Sequence, residues 1–123
     1  ATPYHVVEPD DARMETTVAR VEKELIGGGG VHRYSKDTYY GGGEWVLLTA
    51  WLAWHYRQLG RSDDAATLLH WVEQQADEEG QLPEQVPANL NDPSYYPIWT
   101  NRWGPVAKPL LWSHAMYLIA RTR

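Results

Sequence analysis

The chain has 123 residues and a formal net charge of −5, with seven tryptophans, eight tyrosines and neither phenylalanine nor cysteine. Its 43% hydrophobic and 22% charged residues describe a globular domain rather than a disordered segment, and the length is that of one small domain. The acidic balance, with no basic stripe among the aromatics, argues against a nucleic-acid partner. The lack of cysteine excludes disulfides and thiolate metal sites and leaves the compartment open. No apolar run reaches the length of a membrane span, and no basic-then-apolar leader is evident. The first residue is Ala1, which fits either removal of an initiator methionine or a processed fragment. Trp and Tyr join an apolar ring to a polar tip, a combination suited to half-wet surfaces and sugar faces.

Four helices are predicted. The first runs from about Asp10, its expected N-cap, to Leu25, with Met14, Val18, Val21 and Leu25 as an apolar stripe. Arg13, Glu15, Arg20 and Glu24 occupy its other face, and the glycines from Gly27 to Gly30 stop it. A loop from Gly27 to Gly43 then carries Arg33, Tyr34, Asp37, Tyr39 and Tyr40. The second helix, about Glu44 to Leu59, is apolar nearly all round, which predicts burial on most sides; Gly60 ends it. The third, about Asp63 to Glu79, is amphipathic, with Ser62 as cap and Asp63 and Asp64 facing the positive end of its dipole. Gly80 to Pro109 is about thirty residues without a periodic pattern, a length that marks a functional loop. The fourth helix, about Leu110 to Arg121, is again of the apolar type.

The helices therefore alternate surface, buried, surface, buried. A four-helix bundle would make all four comparably amphipathic, whereas an all-α toroid with outer amphipathic and inner apolar helices explains the alternation. Four helices are too few to close such a ring. Both long loops precede a buried helix, so they are expected to emerge at one end and meet over one pocket.

Several residues have two readings at this stage. Glu84, after Pro83, is either a solvated loop glutamate or an ordered functional carboxylate. Arg33 is either half of a surface ion pair with Asp37 or a fixed fork of donors. Trp112 is either core filling or an aromatic wall. Of Tyr39 and Tyr40, one lines a pocket and the other packs behind it. Glu44 is either a first-turn carboxylate complementing the helix dipole or a second acidic group at the site. The histidines His32, His55, His70 and His114 lack metal-ligand spacing; His114 reads as a satisfied helix histidine or a supporting donor. Asp63 and Asp64 are explained by the helix start, so no metal and no cofactor is expected.

Three segments carry a resemblance. Arg33-Tyr34-Ser35-Lys36-Asp37-Thr38-Tyr39-Tyr40-Gly41-Gly42-Gly43-Glu44-Trp45, Leu82-Pro83-Glu84-Gln85 and Pro109-Leu110-Leu111-Trp112-Ser113-His114-Ala115 resemble, in order, segments of glycoside hydrolase family 15, the glucoamylase family. The resemblance covers most of the chain from Gly30 onward. It implies that residues 1–123 form the C-terminal third of an (α/α)6 barrel, one catalytic domain whose N-terminal part lies outside this chain. It implies an inverting, exo-acting hydrolase that releases β-glucose from α-1,4- or α-1,6-linked gluco-oligosaccharides, with Glu84 as general base. By the same resemblance Arg33, Tyr39 and Trp112 bind substrate, and a companion polypeptide completes the barrel and brings the general acid. Some members have Asn-Pro where this chain has Gly43-Glu44, which adds Glu44 as a further substrate-binding candidate. Other members cleave trehalose, and these segments do not separate the linkages. The competing class is a non-catalytic carbohydrate-binding or regulatory protein with the same toroid. A terpenoid or prenyl-transfer toroid is disfavoured by the lack of an aspartate-rich helix.

Overall fold

The computed structural model describes residues 6–123. Among them the expected helical class is observed, with five α-helices and one small sheet. Helix α1 spans Ala12–Leu25. Its N-cap is Asp11 rather than the expected Asp10, because the Asp11 carboxylate reaches the Arg13 amide at 2.9 Å. Val18 is buried and Met14, Val21 and Leu25 pack beside it, as the stripe predicts. The Gly27 amide then bonds to the Gly30 carbonyl, and this tight turn leads into strand β1, Val31–His32.

Strand β2, Glu44–Trp45, pairs antiparallel with β1 and with β3, Gln85–Val86, in the order β1-β2-β3. The registers Val31↔Trp45 and Trp45↔Gln85 put Trp45 at the centre of the sheet. Sequence periodicity gives no sign of strands two residues long. The second helix consequently starts later than expected: α2 is Val46–Gln58, because Glu44 and Trp45 are committed to the ladder. Nine of its residues are buried, in agreement with its predicted apolar surround.

Helix α3, Ser62–Gln74, buries Ala65, Leu68, Leu69 and Val72 against α2. Ser62 lies inside its first turn and gives no side-chain cap; Arg61 is the N-cap. The helix ends five residues before the expected Glu79. Asp77 halts it, since its Oδ1 accepts the Glu79 and Gln81 amides and its own amide bonds to the Gln81 carbonyl.

The segment expected to be an unbroken loop from Gly80 to Pro109 contains β3 and a further helix, α4, Tyr95–Trp103. Asp92 starts it: its Oδ1 accepts from the Ser94 amide and hydroxyl, and its carbonyl takes the Tyr95 amide. Pro97 is tolerated because it lies in the first turn, where an amide has no partner within the helix. Helix α5, Leu111–Thr122, packs on α2 through Ser113, Met116 and Ala120. It is more one-sided than its sequence suggests: Leu111, Trp112 and Leu118 are 82%, 53% and 59% exposed. No helix among the described residues is long and apolar enough to cross a membrane.

Helix α2 is thus the central element, held between α3 and α5. Leu69 is 5% exposed and belongs to that core, so Leu69→Ala is expected to cost about 2–5 kcal/mol of unfolding free energy. Chemical denaturation measures this; a loss below about 0.5 kcal/mol, typical of a surface change, would show that α3 does not seat on α2 as described.

Candidate active site

The segment Leu82–Glu84 has no regular structure of its own, yet every backbone polar group in it is paired. The Leu82 amide donates to His114 Nε2 at 2.9 Å, and the Leu82 carbonyl accepts the Leu110 amide at 2.9 Å. Pro83 has no N–H to satisfy, and its carbonyl accepts the Ser113 hydroxyl at 2.9 Å. The Glu84 amide donates to the Ala107 carbonyl at 2.9 Å, and the Glu84 carbonyl accepts the Val46 amide at 3.1 Å. The start of α5 and the start of α2 therefore grip this turn from two sides. Ser113 and His114 act as clamps. His114 is satisfied, as expected, but accepts at Nε2 rather than donating to the turn.

The Glu84 side chain is half-buried. Burial pushes its carboxyl above the ordinary glutamate range, and Asp37 pushes in the same direction. The Gln85 amide, whose Nε2 is 3.5 Å from Oε2, and the Arg33 charge oppose the rise. A raised carboxyl holds a proton more readily than a free glutamate does.

Arg33 follows β1 and forms the ion pair anticipated with Asp37. The pair is bidentate, with Nε to Oδ2 and Nη2 to Oδ1 both at 2.9 Å. The Asp37 side chain is 1% exposed and that of Arg33 37%, so the fork is anchored from below and open above. Asp37 Oδ1 also accepts the Tyr39 amide at 3.0 Å. The guanidinium stands 4.9 Å from the Trp45 ring centre and 5.1 Å from that of Tyr39, within cation–π reach of both. The Asp37 pair uses Nε and Nη2 and leaves Nη1 out. The ion-pair reading of Arg33 is thus observed.

Tyr39 and Tyr40 differ in exposure. Tyr39 is partly exposed, and its phenol is pushed up first by burial and then by the Glu84 charge, which relates the two side chains electrostatically. Tyr40 is buried behind it with its hydroxyl on the Gly104 carbonyl at 2.8 Å. Trp99 of α4 meets Tyr39 edge-on, with centroids 4.8 Å apart, so the two long loops do meet, although the segment shows no helical period and its helix was not expected. The Asp92-Pro93-Ser94 start signal could have revealed it.

Glu44 does not join this group. It is 0% exposed on β2, which corrects both readings of it, as substrate ligand and as first-turn carboxylate. Its Oε1 accepts the Gly28 and Gly30 amides, tying the glycine turn to the sheet. Trp112 is not core filling within this chain; it stands exposed one residue before the clamp residue Ser113. The apolar cavity of about 250 Å³ between α1 and α2 borders Arg33 but not Glu84. Its lining of Met14, Val18, Val21 and Leu48 offers little to a hydroxyl-rich ligand. Among the described residues no group of three or more His, Asp or Glu is placed to hold a metal ion.

No protein-family model matches the chain. It is 50% identical over 117 residues to isomaltose glucohydrolase of Kribbella flavida, a match covering 95% of this chain and 30% of that protein. It is 33% identical over 131 residues to an uncharacterized glycosyl hydrolase of Methanocaldococcus jannaschii, covering 95% of this chain and 19% of that one. The chain thus spans less than a third of the length of these curated relatives. A solved wild-type glycosidase superimposes with a TM-score of 0.92 at 49% identity, over 96% of this chain and 32% of its own. A variant glycosidase solved in complex with glucose matches at 0.92 and 48%, over the same shares. The fold is that of a part of these helical glycosidases.

The Asp37 carboxylate is expected to support both the Arg33 fork and the Tyr39 amide. Asp37→Ala should lower stability by about 1–3 kcal/mol, the cost of stranding buried donors. Asp37→Asn should cost less, because its oxygen can still accept from Tyr39. Denaturation of both variants checks the order; an alanine variant as stable as the parent would remove Asp37 from the support of the fork.

Proposed function

We propose that this chain supplies the general base and part of the pocket of an inverting, exo-acting α-glucoside hydrolase of the glucoamylase-like family 15. The substrate is an α-1,4- or α-1,6-linked gluco-oligosaccharide cut at its non-reducing end, and the likeness to an isomaltose glucohydrolase favours the α-1,6 linkage. The observation that carries this reading is the fully paired Leu82–Glu84 turn, which fixes one half-buried carboxylate beside an anchored arginine fork and an aromatic wall. A solvated surface glutamate has no need of such a support.

In this mechanism Glu84 accepts a proton from a water lying on the face of the sugar opposite the departing oxygen. The water oxygen bonds to the anomeric carbon as the glycosidic bond breaks, and the departing oxygen takes a proton from a carboxylic acid. That acid comes from a companion polypeptide that completes the barrel. Arg33 and Tyr39 hold glucose hydroxyls, and the exposed Trp112 face packs against the sugar. Residues 1–123 are then one portion of a single catalytic domain. The exposed Leu111, Trp112 and Leu118 on α5 and the short share of each relative covered support a missing neighbour.

Glu84→Gln in the assembled enzyme is expected to lower kcat by on the order of a hundredfold or more while leaving glucose affinity nearly unchanged. The first product of the parent, followed by NMR, is expected to be β-glucose, with the two carboxyl groups roughly 6.5–9.5 Å apart. Initial α-glucose, or a glutamine variant within a few-fold of the parent, would sink the assignment.

Because the Glu84 carboxyl is raised, it stays protonated, and idle as a base, to a higher pH than a free glutamate. The acid limb of kcat/KM is therefore expected above about 4.3; a limb below that value would contradict the base role. Expressed alone, residues 1–123 are expected to show neither glucosidase turnover nor a stable monomer. Leaving several large apolar side chains uncovered forfeits several kcal/mol, at about 25 cal/mol per Å2, which is comparable with the stability of a small domain. Circular dichroism melting and sizing decide this, and a cooperative, active monomer would overturn the need for a companion.

A further inference from the structure

We propose that Gln85 is the positioning residue of this site, its side-chain amide locked by the Gly43 backbone so that its N–H group holds the Glu84 carboxylate in one orientation. The proposal rests on reading Glu84 as the base and goes beyond it, since the neighbouring residue is given a separate task. Gln85 is 2% exposed. Its Oε1 accepts the Gly43 amide at 3.1 Å, and an amide group has one oxygen. With that oxygen committed, the nitrogen must face the other way, and there it lies 3.5 Å from Glu84 Oε2. Rotating the amide by half a turn would set its N–H against the Gly43 N–H and its oxygen against the carboxylate. Two repulsions would replace two attractions, so the orientation is fixed by chemistry.

The backbone leaves Gln85 no alternative place. The register Trp45↔Gln85 holds it in β3, and the Gly43 amide stands against its oxygen. A side chain at Gly43 would collide with the Val86 carbonyl and press on Gln85 Oε1, so glycine there keeps the locking amide accessible. The contact to Glu84 is long, as contacts to catalytic groups often are before substrate binds. The charged and titratable groups that face Glu84 are Arg33, Asp37 and Tyr39, all from the loop after β1; Gln85 is the donor from its own strand. The Gln85 bond opposes the effect of burial on the Glu84 carboxyl more than the Arg33 charge does.

Two variants in the active assembly separate this role from simple packing. Gln85→Glu keeps an oxygen for the Gly43 amide but presents oxygen instead of N–H to Glu84. Gln85→Leu removes both contacts while keeping the volume similar. Both are expected to move the acid limb of kcat/KM upward, by about one pH unit for Gln85→Glu, where a like charge is added. Packing damage alone would lower activity evenly across pH, and an unmoved limb in either folded variant would overturn the proposal. A measurement on the parent covers the case in which both variants fail to fold. The Gln85 side-chain NH2 resonance is expected to titrate with the midpoint of the acid limb, and a resonance flat through that range overturns the role. Glu84→Gln run in parallel distinguishes the two levels. If it retains turnover, the base assignment falls and the Gln85 role with it. If it is inactive while the Gln85 readouts stay flat, only the positioning role falls.

Discussion

The arrangement depends on one constraint: a proline-containing turn with no ladder or helix of its own must have its backbone satisfied by groups from elsewhere. Buried amides and carbonyls left unpaired cost as much as a lost hydrogen bond each. Leu82–Glu84 meets the demand with two helix starts. The Val46 amide at the head of α2 and the Leu110 amide ahead of α5 are donors that no helix can satisfy internally, and both are spent on this turn. The orphan groups of the helices and of the turn thus cancel one another. Glu84 lies where the sums close.

The same economy governs the opposite wall. Glu44 holds the glycine turn that leads into β1, and Asp37 holds both Arg33 and the Tyr39 amide. Each buried carboxylate fixes backbone, and Asp37 fixes the Arg33 side chain as well. Gly42 is required at its position: its φ of +72° places it in the left-handed region, and a side chain there would strike the Asp37 carbonyl. The loop is consequently shaped by contacts that point away from the pocket. Its exposed surface inherits that rigidity.

Much of this was legible in the sequence where the signal was periodic or punctuated. The stripe on α1, the apolar surround of α2 and the stops at Gly27 and Gly60 follow from helical spacing and from glycine. The Arg33–Asp37 pair was also readable. Glu44 was misplaced because a two-residue strand has no period, so a carboxylate next to an apolar helix reads as its first turn. Helix α4 was missed because Pro97 and a run of aromatics hide its short length, although Asp92-Pro93-Ser94 announces a start. Gln85 and Ser113 lie in the resembling segments, but nothing local reveals their tasks, which arise from partners 42 and 30 residues away.

Those separations have a consequence for assembly. The turn bearing Glu84 is gripped by Val46, which precedes it, and by Ala107, Leu110, Ser113 and His114, which follow it. Neither grip exists until chain on both sides has folded back, and closing such long loops comes late because its entropy must be met before the contacts reward it. Until then the carboxylate sits on a solvated strip of chain, chemically the same as any surface glutamate. A nascent or partly unfolded molecule therefore carries an ordinary glutamate here, and the raised carboxyl arrives only with the native topology.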